Sequence, residues 1–168
     1  MAILDSHPRL TPPSPVPVVM WRDIFALVDR GRTIVSDYPV LEAMVREQAE
    51  RYPRGLGCLV IIPASAKPPP DDVRRAINGV LTRLEPLLNC LCWQVEGTGF
   101  RAAAVRAALA GLRIVHRPPY PTLVASDMSE ALRWMFPYLR DGMARLSEIP
   151  SAVDAIGKAR ASMLPQPP

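Results

Sequence analysis

The chain has few cysteines, few histidines and almost no lysine. Its 168 residues include 3 Cys and 2 His, and only Lys67 and Lys158 among the 20 basic positions are lysines. Each scarcity excludes something. Cys58, Cys90 and Cys92 lie inside apolar runs, and an odd number of cysteines without a secretory setting is no disulfide framework. His7 and His116 do not stand at metal-ligand spacing from them. The cysteines therefore read as small buried hydrophobes, and neither a metal site nor a cofactor is expected. No apolar run reaches the roughly 18 residues of a membrane span. The opening MAILDSHPRLTPPSP lacks the basic start and apolar core of a signal peptide. A soluble, cytoplasmic protein in a reducing compartment is the expectation.

The net charge of +4 is also modest, and its basic residues are scattered rather than blocked. With 6% aromatics there is no basic stripe interleaved with stacking side chains, so nucleic-acid binding is not expected. What the sequence does have is apolar substance and proline. Hydrophobic residues make up 49% against 21% charged, enough to bury a core and to exclude wholesale disorder. The 20 prolines concentrate at 8–17, 63–70, 117–121 and the last four residues, which marks borders between elements.

Residues 1–15 read as an extended, proline-rich leader. VVMWRD (18–23) and IFALVDRG (24–31) are two apolar, β-branched or aromatic runs split by Arg22-Asp23, the pattern of a β-hairpin. Ser36 or Asp37 then caps a helix with Val40, Leu41, Met44, Val45 and Ala49 at helical spacing, closed by Pro53 and Gly55. GCLVIIP (57–63) is too short for a helix and apolar throughout, as in a central parallel strand buried on both faces. Asp71-Asp72 open a helix with Val73, Ile77, Val80, Leu81 and Leu84, stopped by Pro86. NCLCWQVE (89–96) is the next strand. Gly97-Thr98-Gly99 turns into a helix, capped by Thr98, whose Ala102, Val105, Ala108, Leu109 and Leu112 face the sheet.

RIVHR (113–117) reads as a short strand, with Thr122–Ala125 a further extended piece. Ser126 or Asp127, helped by Glu130, caps a helix that Pro137 breaks near Phe136. Residues 146–164 form a last helix capped at Ser151, followed by a proline tail. The order ββαβαβαβα plus a C-terminal helix predicts an α/β fold, an opening hairpin continued by parallel strands with right-handed crossovers. The expected division is a leader (1–15), a domain (16–140) and a C-terminal helical extension (141–168).

This order, with the glycine-threonine close at Gly31 and Thr33 and a final helix beginning Asp127-Met-Ser-Glu-Ala-Leu-Arg-Trp, resembles the STAS domain of anti-sigma factor antagonists and SpoIIAA-like proteins. The likeness spans about 16–140. Glu96-Gly-Thr-Gly-Phe-Arg-Ala-Ala-Ala-Val-Arg is similar to a segment of STAS-like bacterial proteins. The resemblance implies a regulatory module that acts by binding another protein. In that family a serine in the loop after the buried strand takes a phosphate; here the loop reads Pro63-Ala-Ser-Ala-Lys-Pro-Pro-Pro-Asp-Asp, without the Asp-Ser-Ser-Gly type of sequence, and Ser65 is the residue that could stand in.

Three places could carry chemistry. At Gly97-Thr98-Gly99 a strand-to-helix turn aims backbone N–H groups at one point, and Arg101 adds a charge, which would suit an anion or small ligand; the plainer alternative is a tight turn. Thr98, like Ser65, is a candidate phosphosite. Ser65, Lys67, Glu96, Thr98, Arg101 and Arg117 would share the carboxyl edge of the sheet, as a binding edge or as an ordinary polar rim. Trp134, Met135, Phe136 and Tyr138 are too apolar for a helix that buries one face, and suit a partner interface or a homodimer contact unless the last helix covers them. No catalytic set is complete: there is no G-x-S-x-G elbow, His116 has no neighbouring nucleophile, and Asp71-Asp72 is accounted for by the helix dipole. The reading is a non-enzymatic regulatory or scaffold module, with a ligand or anion sensor as the alternative.

Overall fold

The computed structural model describes residues 9–10, 18–28, 35–66, 70–115 and 118–162, with side chains for 18–28, 35–66, 70–109 and 118–161. Six strands lie in sequential order in one sheet: β1 (Arg9–Leu10), β2 (Val18–Trp21), β3 (Ile24–Val28), β4 (Leu56–Ile62), β5 (Leu88–Val95) and β6 (Thr122–Ala125). The first two pairings are antiparallel and the last three parallel. Between and after them run α1 (Tyr38–Arg51), α2 (Asp71–Leu84), α3 (Phe100–Val115), α4 (Met128–Met135) and α5 (Ile149–Ser162). This is the mixed α/β architecture that the element order predicts.

The strands are apolar on both sides because both sides are covered. Phe25, Cys58, Leu91 and their neighbours pack under α1 and α2, through Leu41, Val45, Val80 and Leu84. Trp21, Ile24, Leu59, Cys90 and Cys92 pack on the other side against Leu132 and Met135 of α4 and Ile156 of α5. Trp21 and Ile24 are paired across the hairpin, so Arg22-Asp23 is a two-residue turn, and Arg22 adopts the left-handed φ of 52° that such turns demand. α1 and α2 are tied outside the core by Glu42, which accepts from both Arg46 and Arg83. Those two guanidinium groups hold its carboxyl below the ordinary carboxylate value.

Several expectations are corrected. The strand expected at 113–117 is helix as far as Val115, with His116 and Arg117 outside the described residues, and the parallel edge strand is Thr122–Ala125. The leader contributes a strand, since Arg9 and Leu10 pair with Met20 and Val19. Asp37 stands at the start of α1 without a side-chain cap, whereas Asp127 caps α4 by accepting from Glu130 N at 2.8 Å. Glu130 in return accepts from Ser126 N and Oγ, at 2.8 and 2.7 Å. Ser151 does not cap α5: it lies inside the first turn and donates to Glu148 O. α4 does end at Met135, and Pro137 sits in a 3-10 turn over Phe136–Tyr138, the break its missing N–H requires.

Candidate functional site

Beyond the carboxyl ends of parallel strands, loops converge and side chains are free to meet a ligand or partner. Here that rim is made by Pro63–Ala66 after β4 and Glu96–Gly99 after β5, joined where Glu96 N donates to Ile62 O at 2.9 Å. Gly97 and Gly99 have φ of 89° and 87°, left-handed values that side chains resist. A Cβ on Gly97 would also stand 2.8 Å from Ala64 Cβ, while one on Gly99 would meet nothing. Gly99 O accepts the first helical bond, from Ala103 N at 3.1 Å, so Gly99 rather than Thr98 is the boundary residue of α3. The tight-turn account of the two glycines is thus sound. Ser65, Thr98 and Arg101 are exposed, and Lys67 and Arg117 lie outside the described residues.

The charges of this rim are arranged within the chain. Glu96 forms a two-pronged ion pair with Arg160 of α5, whose second bond is 2.8 Å long, and this holds the arginine protonated more firmly than usual. Arg101 donates to Ala66 O at 2.9 Å, bracing the β4–α2 loop. Arg106 donates to Val95 O and Gly97 O, both at 3.3 Å. Among the described residues neither Arg101 nor Arg106 has a carboxylate partner, so their positive charges stand uncompensated.

The feature that sequence reasoning missed is the outer face of α3. Ala102 is buried and Val105 and Leu109 are half-buried, as expected, but Ala108 faces solvent together with Ala103, Ala104 and Ala107. At its start Phe100 is 91% exposed. At about 100° per residue these five fall on one stripe, with Arg101 on one flank and Arg106 on the other. The exposed surface of α2 is, by contrast, Asp71, Asp72, Arg74, Arg75, Asn78, Thr82 and Arg83. A surface helix normally turns polar residues outward, and one that is apolar all round is normally covered. The available signal was the run AAAVRAALA, which places alanine on every side of a helix.

The expected aromatic interface is largely dissolved. Met135 and Phe136 are 0% exposed, because α5 folds back and joins them to the core, so they offer a partner no surface. Trp134 is half-buried with its ring 5.0 Å from that of Tyr138, and Tyr138 retains 40% exposure. Residues 149–161 are accordingly part of the same packed unit as the sheet rather than an appendage to it.

At the opposite rim the hairpin turn buries Asp23, whose Oδ1 accepts from Arg145 Nη1 at 2.7 Å and whose Oδ2 accepts from Arg140 N at 3.2 Å. The Arg145 guanidinium also lies 5.2 Å from the Trp21 ring and 4.9 Å from that of Phe136. Arg22 pairs with Glu148 at 2.7 Å alongside. The Asp23–Arg145, Asp23–Arg140 and Arg22–Glu148 contacts fasten the 139–148 segment to the hairpin. The three cysteines are free and buried, Cys58 under α1 and α2, Cys90 and Cys92 under α4 and α5. Burial pushes all three thiols up, that of Cys92 to about 12, which removes the thiolate needed for nucleophilic or ligating chemistry. Among the described residues no three His, Cys, Asp or Glu side chains are grouped as a metal site would need, and no helix is long and apolar enough to cross a membrane. No family model matches the chain, and neither a curated protein nor a solved structure does.

Proposed function

We propose that this chain is a non-enzymatic regulatory or scaffold module that acts by binding another protein, with the outer face of α3 as its docking surface. The observation that carries the reading is that stripe: Phe100, Ala103, Ala104, Ala107 and Ala108 form an uncovered apolar face on a helix whose opposite face is already buried in the fold. Phe100 stands as an exposed aromatic at the end of a smooth apolar surface, and aromatic and arginine side chains are where interfaces concentrate binding energy. The STAS resemblance supports the same class of activity, as does the exposure of Ser65 and Thr98 on the adjoining loops, where a phosphate would alter the charge next to α3. An anion sensor at Gly97-Thr98-Gly99 has weaker support, because the left-handed φ of both glycines and the close approach of Gly97 to Ala64 are accounted for by the tight turn itself.

The test is photo-cross-linking from a defined position. A benzophenone amino acid replaces Phe100 in one protein and Lys158, on the far side of the Glu96–Arg160 clasp, in another. Irradiation in an extract of the native cells should give a discrete protein adduct from position 100 and none of comparable yield from position 158. Equal yields, or none from position 100, would overturn the reading.

A further inference from the structure

The α3 surface also specifies the chemistry of what docks there. Resting on the docking role just proposed, we infer that the partner presents an acidic amphipathic helix, an apolar stripe with carboxylates along both flanks, laid along α3 from Phe100 to Ala108. Four alanines make the stripe shallow, so that a second helix can come to the near end of the usual 8–10 Å interaxial range (about 8 Å). Phe100 projects at one end as a stop for the partner's own apolar residues. The face is convex, so it suits side-chain packing by a helix and presents no sheet edge to an extended strand.

Charge then selects among helices. Arg101 and Arg106 border the stripe on its two sides, bonded only to backbone carbonyls, and the whole segment FRAAAVRAALAGLRIV contains arginines and no acidic residue. A second copy of the chain would set arginine against arginine across the contact, which is repulsive, so self-pairing is the disfavoured occupant. A helix with Glu or Asp on both flanks places an opposite charge at each arginine, the arrangement by which flanking positions of a coiled coil choose their partners. Two arginines on a stripe of alanines are too few for the dense phosphate neutralisation that nucleic-acid binding relies on.

The probes are two fluorescein-labelled helical peptides with one leucine stripe in common, flanked by glutamates in one and by lysines in the other, titrated against the full chain by anisotropy. The glutamate peptide should bind at least about tenfold more tightly than the lysine peptide, and its advantage should shrink as salt is raised. Ala104→Glu, on the exposed stripe, should weaken the glutamate peptide by about tenfold while leaving the melting temperature unchanged. Arg101→Glu should erase the preference between peptides. Equal binding of the two, or indifference to Ala104→Glu, would overturn the inference. So would binding of phosphatidylserine vesicles that Ala104→Glu abolishes in place of peptide binding, or a position-100 cross-link within the same chain. The two readings fail separately. A position-100 adduct with a protein, without peptide discrimination, leaves the docking role and removes the acidic helix. Discrimination without any adduct removes the docking role as stated.

Discussion

Asp23 sits in a two-residue turn, a place where aspartate is ordinarily solvated, yet it is buried with Arg145, 122 positions along the chain, as its counter-ion. Removing one member of such a pair strands the other charge in a poor dielectric, an effect of about 3–5 kcal/mol, whereas removing both can be nearly neutral. Arg145→Met is therefore expected to lower stability by about that amount in urea unfolding, and Asp23→Asn with Arg145→Met to recover much of it. A double variant no more stable than Arg145→Met alone would show that packing on Trp21 and Phe136, not charge, is what Arg145 supplies. Nothing local announced this pair: Arg22-Asp23 was legible as a polar break and hence a turn, but burial depended on a partner from the far end of the chain. Gly142 is a second case. A Cβ there would fall 1.4 Å from the backbone oxygen of Phe136, which is fixed by its bond to Leu139 N, whereas Gly99 has open space and only its positive φ to protect. Gly99→Ala should cost about 1–2 kcal/mol, and Gly142→Ala clearly more, since it forces the 3-10 turn apart. Melting temperatures in the reverse order would contradict the packing around Phe136.

Among elements, the central strands were the most legible. GCLVIIP and NCLCWQVE announced themselves because a parallel strand under two helical layers must be apolar throughout, and no amphipathic helix looks like that. RIVHR misled for a related reason: its β-branched residues suggested a strand, but the helix begun at Phe100 continues as far as Val115, and propensity yields to an unbroken preceding run. The outer face of α3 stayed hidden because alanine is at home both buried and exposed, so periodicity alone could not say which alanines met the sheet. α5 was legible as a helix, and as a cover only as one of two alternatives for the apolar face at Trp134–Tyr138. Its Ala152 and Ile156 are buried against the face of the sheet that carries Trp21 and Ile24. A chain ending at Asp141 would lose this cover together with Arg145. It is expected to bind the dye ANS and to associate in size-exclusion chromatography, with reduced near-UV circular dichroism. A monomeric truncated chain with native near-UV signal would refute the covering role of α5.

At the scale of the molecule, the sheet divides two cores, and the cysteines report on both. Cys58 lies in the core under α1 and α2, Cys90 and Cys92 in the one under α4 and α5, and all are free. At pH 8 the native protein should react with none of its thiols toward DTNB, and all three should react in urea. If the sheet makes the two cores one cooperative unit, Cys58 and the Cys90/Cys92 pair should become reactive with the same dependence on urea; earlier labelling of one set would show that its layer opens alone. The same burial sets a limit at high pH. Desolvation raises Cys92 from 9.0 to about 12, Tyr120 from 10.0 to about 12, and Cys58 and Cys90 above their ordinary range as well. A group whose pKa is raised by folding gives stability that is complete below its unfolded value and declines as pH rises toward its folded one. Stability should therefore hold to about pH 9 and fall between about 9 and 12. Glu42 acts at the other end: held low by Arg46 and Arg83, it contributes above its unfolded value of 4.5 and loses that contribution as pH falls through its folded value. Replacing Cys58, Cys90 and Cys92 together by alanine should flatten the alkaline limb of the stability curve and leave the acid limb in place. An alkaline limb unchanged by that replacement would mean that the thiols are not what fails when the two cores open at high pH.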